Sequence, residues 1–337
     1  MMNPAFVMVV LVVVIALIFD FVNGFHDAAN AIATIVISKT LTPLQAVLLA
    51  GVSNFIGYFV FGTAVAKMIG KGVVHVEQVT LPLLLATLAG AILWNIITWL
   101  LGLPTSSSHA LIGGLIGSGI AAAGVKVVLW AGVLKIFLFI FIAPLLGVIG
   151  AMIFTTGTIW LFRKSTPSKS NPIFKKMQLV SATFASIGHG TNDAQKTMGI
   201  IALALYVGNV SSSFKTGKID EWVVFAAYTA ISLGTIFGGW RIVKTMGTSI
   251  TKIREMEGFC ANAAASVVLI GTAHAGIPVS TTHVIAGSIM GVGSVEHAKS
   301  VRWITARKIL WAWILTIPSS AFFAFMTYKT FSMFLSK

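Results

Sequence analysis

Charge is scarce in this sequence: only 9% of its 337 residues are Asp, Glu, Lys or Arg, whereas a soluble globular domain carries about 25%. Hydrophobic residues make up 57% of the chain, and the mean hydropathy is +0.94. These values exclude a water-soluble globule, because most of the surface must face lipid. The sequence therefore predicts a multi-pass protein of the plasma membrane whose largest partner is the lipid bilayer.

Cysteine and acidic residues are also rare. Cys260 is the only cysteine, which excludes an intramolecular disulfide and makes a cysteine-based metal site unexpected. Nine acidic residues face 23 Lys and Arg, for a net charge of +14. The basic residues lie in short loops between apolar runs, as is typical of cytoplasmic loops. We therefore expect no nucleic-acid partner, and we place the densest basic segment, residues 163–177, in the cytoplasm and both termini outside.

An internal repeat organises the chain. Residues 102–109 and 276–283 share the pattern Gly-x-Pro-x-Ser-x-x-His, and two glycines at four-residue spacing follow each copy. Residues 23–30 match residues 189–196 in the same way, so that Asp27 aligns with Asp193. This repetition predicts an N-terminal transmembrane repeat at 1–162 and a C-terminal one at 178–337, joined by the basic cytoplasmic linker 163–177.

The number of membrane crossings predicts how the halves are oriented. Each half contains five apolar runs, and if the third and fourth form a re-entrant hairpin, three crossings remain. Both counts are odd, so the second half is inverted relative to the first, as in many secondary transporters. We expect an all-α integral membrane protein, an inverted-topology repeat with broken helices and re-entrant hairpins. Two full crossings by the third and fourth runs stay open as the alternative.

The first repeated motif favours an anion site. A Gly and a Pro interrupt an apolar run, hydroxyl residues follow, and a small-residue helix then begins. Helix starts expose unpaired N–H groups and the positive end of the helix dipole, which favour an anion. Hydroxyls that merely cap kinked helices are the alternative, but the duplication favours a shared oxyanion site. Its expected hydroxyl ligands are Ser106, Ser107, Ser108, Ser280, Thr281 and Thr282.

The second repeated motif contains the acids Asp27 and Asp193, each within an apolar segment. An ionised carboxylate in the bilayer is costly unless a cation compensates it, and a bound Na+ or a proton does this in a coupled transporter. We therefore predict a coupling-cation site at these acids. The polar neighbours assigned to it are Asn23, His26 and Asn192.

Five further polar residues belong to the predicted site. Asn30 aligns with Lys196, and Lys196 is the one cation within either motif; it either pairs with Asp193 or contacts the substrate. Gln195 can hydrogen-bond an oxyanion or simply pack. Asn30, Gln195 and Lys196 join the oxyanion list, while His109 and His283 are expected to support the hydroxyl rows.

The two motif pairs resemble the inorganic phosphate transporter (PiT) family, and the resemblance covers nearly the whole chain. It rests on Gly-Phe-His-Asp-Ala-Ala-Asn-Ala at 24–31, Gly-Thr-Asn-Asp-Ala-Gln-Lys-Thr-Met-Gly at 190–199, and the two Pro-x-Ser-x-x-His segments. It implies a cation-coupled phosphate symporter, usually a homodimer, with phosphate held between the halves. His26-Asp27, where sodium-coupled members carry Asn-Asp, resembles the bacterial low-affinity branch. That branch implies protons as the driving cation and phosphate taken up with a divalent metal.

The prediction is therefore a symporter that imports inorganic phosphate, coupled to H+ or Na+, and works by alternating access. We expect no resident metal and no cofactor. Sulfate is the alternative substrate, since the hydroxyl rows do not separate the two anions. A membrane-embedded hydrolase is the alternative from another class; duplication of Ser, His and Asp argues against it, since a nucleophile and its base need only one set. An ion channel is less favoured, because the acids do not form a ring.

Overall fold

The computed structural model describes residues 3–60, 62–66, 72–296 and 300–335. In these residues the secondary structure is helical apart from one isolated β-bridge, between Val74 and Val128. The helices of nine or more residues are α1 (Pro4–Ile37), α2 (Pro43–Val60), α3 (Leu81–Leu100), α4 (Ser107–Ala123), α5 (Trp130–Phe162), α6 (Pro167–Val207), α7 (Glu221–Phe237), α8 (Trp240–Thr248), α9 (Glu255–His274), α10 (Thr281–Glu296) and α11 (Trp303–Leu335).

Five of the described helices are long and apolar enough to cross a membrane, judged by length and composition: α1, α3, α5, α9 and α11. The helices α7 and α8 form a sixth crossing if the 72° bend between them lies within one broken span. The helix α6 is 41 residues long but less apolar, because it carries the buried polar segment 186–197. The expected all-α membrane architecture with broken helices is thus confirmed.

A helical hairpin forms around each copy of the Gly-x-Pro-x-Ser motif. In the first half α3 ends at Leu100 and α4 begins at Ser107, and in the second half α9 ends at His274 and α10 begins at Thr281. The turns contain Gly102 at φ +64° and Gly276 at φ +66°, a left-handed conformation that favours glycine.

The two halves are inverted copies that interleave. One apolar cluster contains Val9 of α1 and Leu205 of α6, and a second contains Ile35 and Ala182 of the same two helices. The N-terminal part of α1 therefore lies beside the C-terminal part of α6, which is the antiparallel relation that the repeat predicted. The two apolar clusters lie on either side of the polar middle of these helices.

Each hairpin packs against the last helix of the other half, so α4 contacts α11 and α10 contacts α5. A Cβ added at Gly117 would stand 2.0 Å from the Ala321 carbonyl oxygen, and one added at Gly287 would stand 2.3 Å from the Pro144 carbonyl oxygen. Only glycine permits these backbones to approach so closely.

Most of the predicted basic linker, residues 163–177, is helical. Residues 163–166 connect α5 to α6, while residues 167–177 already belong to α6, which begins with Pro167 after Thr166. Proline is well suited to the first turn of a helix, so the helix starts early despite its basic residues. Phe162 and Phe174 then pack their rings across the short connection, with centroids 4.7 Å apart.

Candidate functional site

The tips of the two hairpins meet in the middle of the molecule. The rings of His109 and His283, at the start of α4 and α10, lie with centroids 4.8 Å apart. Trp313 of α11 stacks on His283 at 3.8 Å, and its Nε1 donates to the carbonyl oxygen of Pro104 at 3.0 Å. One tryptophan therefore contacts both tips, and the two histidines lie beside the hydroxyl rows; their supporting role stays a prediction. The meeting of the tips favours re-entrant hairpins over two full crossings.

The six predicted hydroxyls all lie at this junction and are at most 6% exposed. Two of them cap the helix starts: Ser106 Oγ accepts from the His109 N–H at 3.2 Å, and Ser280 Oγ accepts from the His283 N–H at 3.3 Å. These two serines therefore act as helix caps, which was the alternative to an anion site. Because each hydroxyl oxygen accepts in the cap, its proton can still donate to another group. Ser107 Oγ is buried, and it has no hydrogen-bond partner within the described ranges.

Asn30 and Lys196, which align in the repeat, each cross to the hairpin of the opposite half. Asn30 Nδ2 donates to Thr282 Oγ1 at 2.9 Å and to Thr281 Oγ1 at 3.3 Å. Lys196 Nζ donates to Ser108 Oγ and to the Val279 carbonyl oxygen, the latter at 3.0 Å. The substrate candidates of both halves are thereby joined into one buried network.

Asp193 is surrounded by donors. Its Oδ1 accepts from Lys196 Nζ, its Oδ2 accepts from Thr281 Oγ1 at 3.1 Å, and His189 Nε2 lies 3.3 Å from Oδ2. Lys196 is thus both the ion-pair partner of Asp193 and a donor to the hydroxyl row. The two alternatives for this lysine are compatible.

Asp27 is held by neutral or titratable groups. Its Oδ1 lies 2.6 Å from His26 Nδ1, and His26 Nε2 lies 3.1 Å from Thr98 Oγ1. Thr105 Oγ1 donates to Thr98 Oγ1 at 2.9 Å. Asp27 is therefore connected through His26 to the base of the first hairpin, next to the hydroxyl row.

The acids of the two halves converge on one point. One ligand atom each from Asp27, His189 and Asp193 lies within 4.8 Å of the others, and all three residues are buried. Two carboxylates and an imidazole suit a metal ion. We predicted no resident metal from the sequence, so this cluster is an addition: His189 occupies the repeat position of Asn23, and that alignment was the signal for it.

Two predicted residues contact backbone groups, and a third has an unpaired oxygen. Gln195 Oε1 accepts from the N–H groups of Val65 and Ala66 at 2.8 and 3.3 Å, which favours the packing alternative for this residue. Asn192 Nδ2 donates to the Leu269 carbonyl oxygen at 2.8 Å. Among the described residues, Asn192 Oδ1 and Asn23 Oδ1 have no hydrogen-bond partner.

A model of the family described as "Phosphate transporter family" matches this chain twice, at residues 23–172 and 162–324. The chain is 46% identical over 325 residues to a protein of Rhizobium meliloti named "Probable low-affinity inorganic phosphate transporter", covering 96% of each chain. A Bacillus subtilis protein of the same name is 43% identical, with 98% of this chain and 99% of that one covered.

A similar solved structure is titled "The sodium-dependent phosphate transporter". It superimposes with a TM-score of 0.85 at 25% identity and covers 97% of this chain and 99% of its own. The likeness therefore extends over both halves of the chain.

Proposed function

We propose, from the premise that this chain belongs to the phosphate transporter family, that it imports inorganic phosphate by cation-coupled symport. The chain is a multi-pass membrane protein that transports phosphate, and its curated relatives are named as transporters rather than enzymes. The proposal concerns the driving cation, the residues that bind each solute and the manner of transport. It rests on one observation: the hydroxyl rows of both halves share a buried network with Lys196 and with the acids.

The anion would bind between the two hairpin tips. Both helix starts direct N–H groups and positive dipole ends at their hydroxyl rows, and Lys196 supplies a fixed positive charge there. In the present arrangement Asn30 and Lys196 donate to protein oxygens. Phosphate would replace those oxygens as the acceptor, so these donors would turn to the substrate at little cost.

The cation would bind at Asp27, His189 and Asp193. Lys196 neutralises one of the two carboxylates, which leaves one negative charge for a bound cation when the histidine is neutral. H+ or Na+ can drive uptake from this position. The nitrogen and oxygen ligands also suit a divalent metal carried inward with phosphate as a neutral complex, as the His26-Asp27 pattern implies.

Transport would proceed by alternating access around this site. The hydroxyl rows are buried on every side, which corresponds to an occluded state. The glycine-lined contacts of α4 with α11 and of α10 with α5 are smooth surfaces along which the hairpins can shift. A homodimer is part of the proposal through family resemblance alone.

The deciding experiment is uptake of radiolabelled phosphate and sulfate in parallel into proteoliposomes of purified protein, with Na+, pH and Mg2+ varied one at a time. We expect phosphate to accumulate above its external concentration only when a cation gradient is imposed. Uptake that equilibrates without saturation would instead indicate a channel. Accumulation of sulfate in preference to phosphate would overturn the substrate assignment.

A further inference from the structure

Asp20 is a buried carboxylate that the proposed transport site does not use. It lies in α1, seven residues before Asp27, which places it about 10 Å further along the helix at 1.5 Å per residue. It is 0% exposed, and neither carboxylate oxygen has a hydrogen-bond partner among the residues that the structure describes. Among the described residues it forms no salt bridge, in contrast to Asp27 and Asp193.

Other oxygens without partners lie beside Asp20. The side chains of Thr197 and Asn23 lie at the Asp20 carboxylate. Within the part of the chain that the structure describes, Thr197 Oγ1 and Asn23 Oδ1 have no hydrogen-bond partner, and the two residues are 0% and 2% exposed. The same holds for the hydroxyl of Tyr228, a buried residue of α7.

The nearest buried lysine does not pair with Asp20. Lys196 Nζ is already held by Asp193, Ser108 and the Val279 carbonyl oxygen. A carboxylate buried at membrane depth without a counter-charge is costly. Oxygens that surround one cation do not hydrogen-bond one another, which is the arrangement at Asp20.

We propose that Asp20, Asn23 and Thr197 form a second cation site that binds Na+, separate from the Asp27, His189 and Asp193 cluster. The ligands are all oxygens, as hard cations require. Their one negative charge balances a monovalent ion, whereas a divalent ion would leave uncompensated charge in the bilayer. This inference rests on the proposed cation-coupled symport and adds a driving ion to it.

Only one of the two repeats carries this site. Asp20 aligns with Ser186 in the second half, so no second carboxylate occupies the inverted position. The site lies toward the end of the molecule that contains Val9 and Phe19 and both chain termini, the end that the basic loops place outside. A Na+ held there would stand between the outer face and the phosphate site.

The test uses purified protein in nanodiscs and follows the thermal unfolding midpoint while NaCl replaces choline chloride at constant ionic strength. We expect the Na+ concentration for half-maximal stabilisation to rise at least about tenfold in Asp20→Asn, since one charged ligand is lost. Asp27→Asn, which alters only the other cluster, should retain a Na+-dependent stabilisation. Glu77→Gln removes an exposed acid and serves as the charge-matched control.

The second measurement is phosphate uptake in proteoliposomes with Na+ varied at fixed pH, and with pH varied in the absence of Na+. Asp20→Asn should weaken the Na+ dependence and leave the pH dependence unchanged. An unchanged Na+ response in both assays would overturn the inference, and so would a variant that loses only its response to pH. If wild-type protein binds Na+ through Asp20 but does not accumulate phosphate, the proposed function fails while the site stands.

Discussion

Asn30 and Lys196 stand at the same position of two inverted halves, and each reaches the hairpin of the other half, yet one is neutral and the other charged. The backbone scaffold is symmetric, while the chemistry carried on it is not. The second-half acid, Asp193, is paired with a lysine, Lys196, whereas Asp27 is paired with a histidine, His26. The repeat therefore gives both halves the same backbone geometry, while differences at single positions give the two acids different partners.

The largest effect is expected from a substitution that removes the difference between Asn30 and Lys196. Lys196→Asn places the residue found at position 30 in both halves and leaves Asp193 buried without its cation. Removing one partner of a buried ion pair costs about 3–5 kcal/mol, and the anion also loses its fixed charge. We expect phosphate uptake to fall by roughly 100-fold or more, measured as initial rate in proteoliposomes.

The control is Lys175→Asn, since Lys175 is an exposed lysine at the start of α6. Adding Asp193→Asn to Lys196→Asn should restore the thermal unfolding midpoint without restoring transport. Wild-type uptake by Lys196→Asn would show that the charge is dispensable.

The acids give the next largest effect and sharpen the contrast between the halves. Asp193→Asn leaves the Lys196 ammonium buried and uncompensated, while Asp27→Asn retains an oxygen that can accept from His26. Both variants should lose concentrative uptake, but Asp193→Asn should be less stable by about 3 kcal/mol. Parallel denaturation curves in detergent and counterflow assays of phosphate exchange measure the two effects. Equal stability of the two variants would contradict the assignment of Lys196 as the partner of Asp193.

A smaller effect is expected at the neutral member of the pair. Asn30→Ala removes two hydrogen bonds to Thr281 and Thr282 without leaving a buried charge. Polar contacts between membrane helices are worth about 0.6–2 kcal/mol, so the apparent affinity for phosphate should weaken about threefold to tenfold. Ser118→Ala, which cuts the contact with Thr87 further along α4, is the control. If Asn30→Ala reduced phosphate uptake as much as Lys196→Asn does, the difference in charge between the two residues would not explain their different contributions.

The smallest effects test the symmetric part of the structure. Ser106→Ala and Ser280→Ala each remove one helix cap with nearly the same length, 3.2 and 3.3 Å. Loss of such a cap costs about 1 kcal/mol, so both variants should lower the unfolding midpoint to the same degree. Differential scanning fluorimetry compares them directly. Clearly unequal shifts would show that the two hairpin tips are not equivalent in strength.

Sequence patterns were sufficient for the scaffold because the repeat contains local signals. The glycine turn, the serine cap and the hydroxyl row are set by neighbouring residues, so the start of α4 and that of α10 could be predicted from one motif. The inverted orientation of the two halves was predicted from the odd number of apolar runs in each. The alignment of Asp27 with Asp193 led to the prediction that both acids belong to one cation site.

The remaining features depend on contacts between distant helices, which no local pattern encodes. Trp313 touches both hairpin tips from a helix that the sequence marks only as apolar. Thr98 contacts His26 across 72 residues, and Gln195 accepts hydrogen bonds from the backbone at Val65 and Ala66. The helix that begins at Pro167 within the basic segment 163–177 is likewise not encoded in the charge of that segment.

The exchange of hairpins between the halves has a consequence for the ancestry of the protein. Because α4 is covered by α11 and α10 by α5, neither half encloses its own hairpin. A half-length chain with this architecture could bury its small-residue helix only against an upside-down copy of itself. An ancestor of half the length would therefore have needed to form an intertwined antiparallel dimer. For the same reason, the two halves expressed as separate chains should assemble with each other.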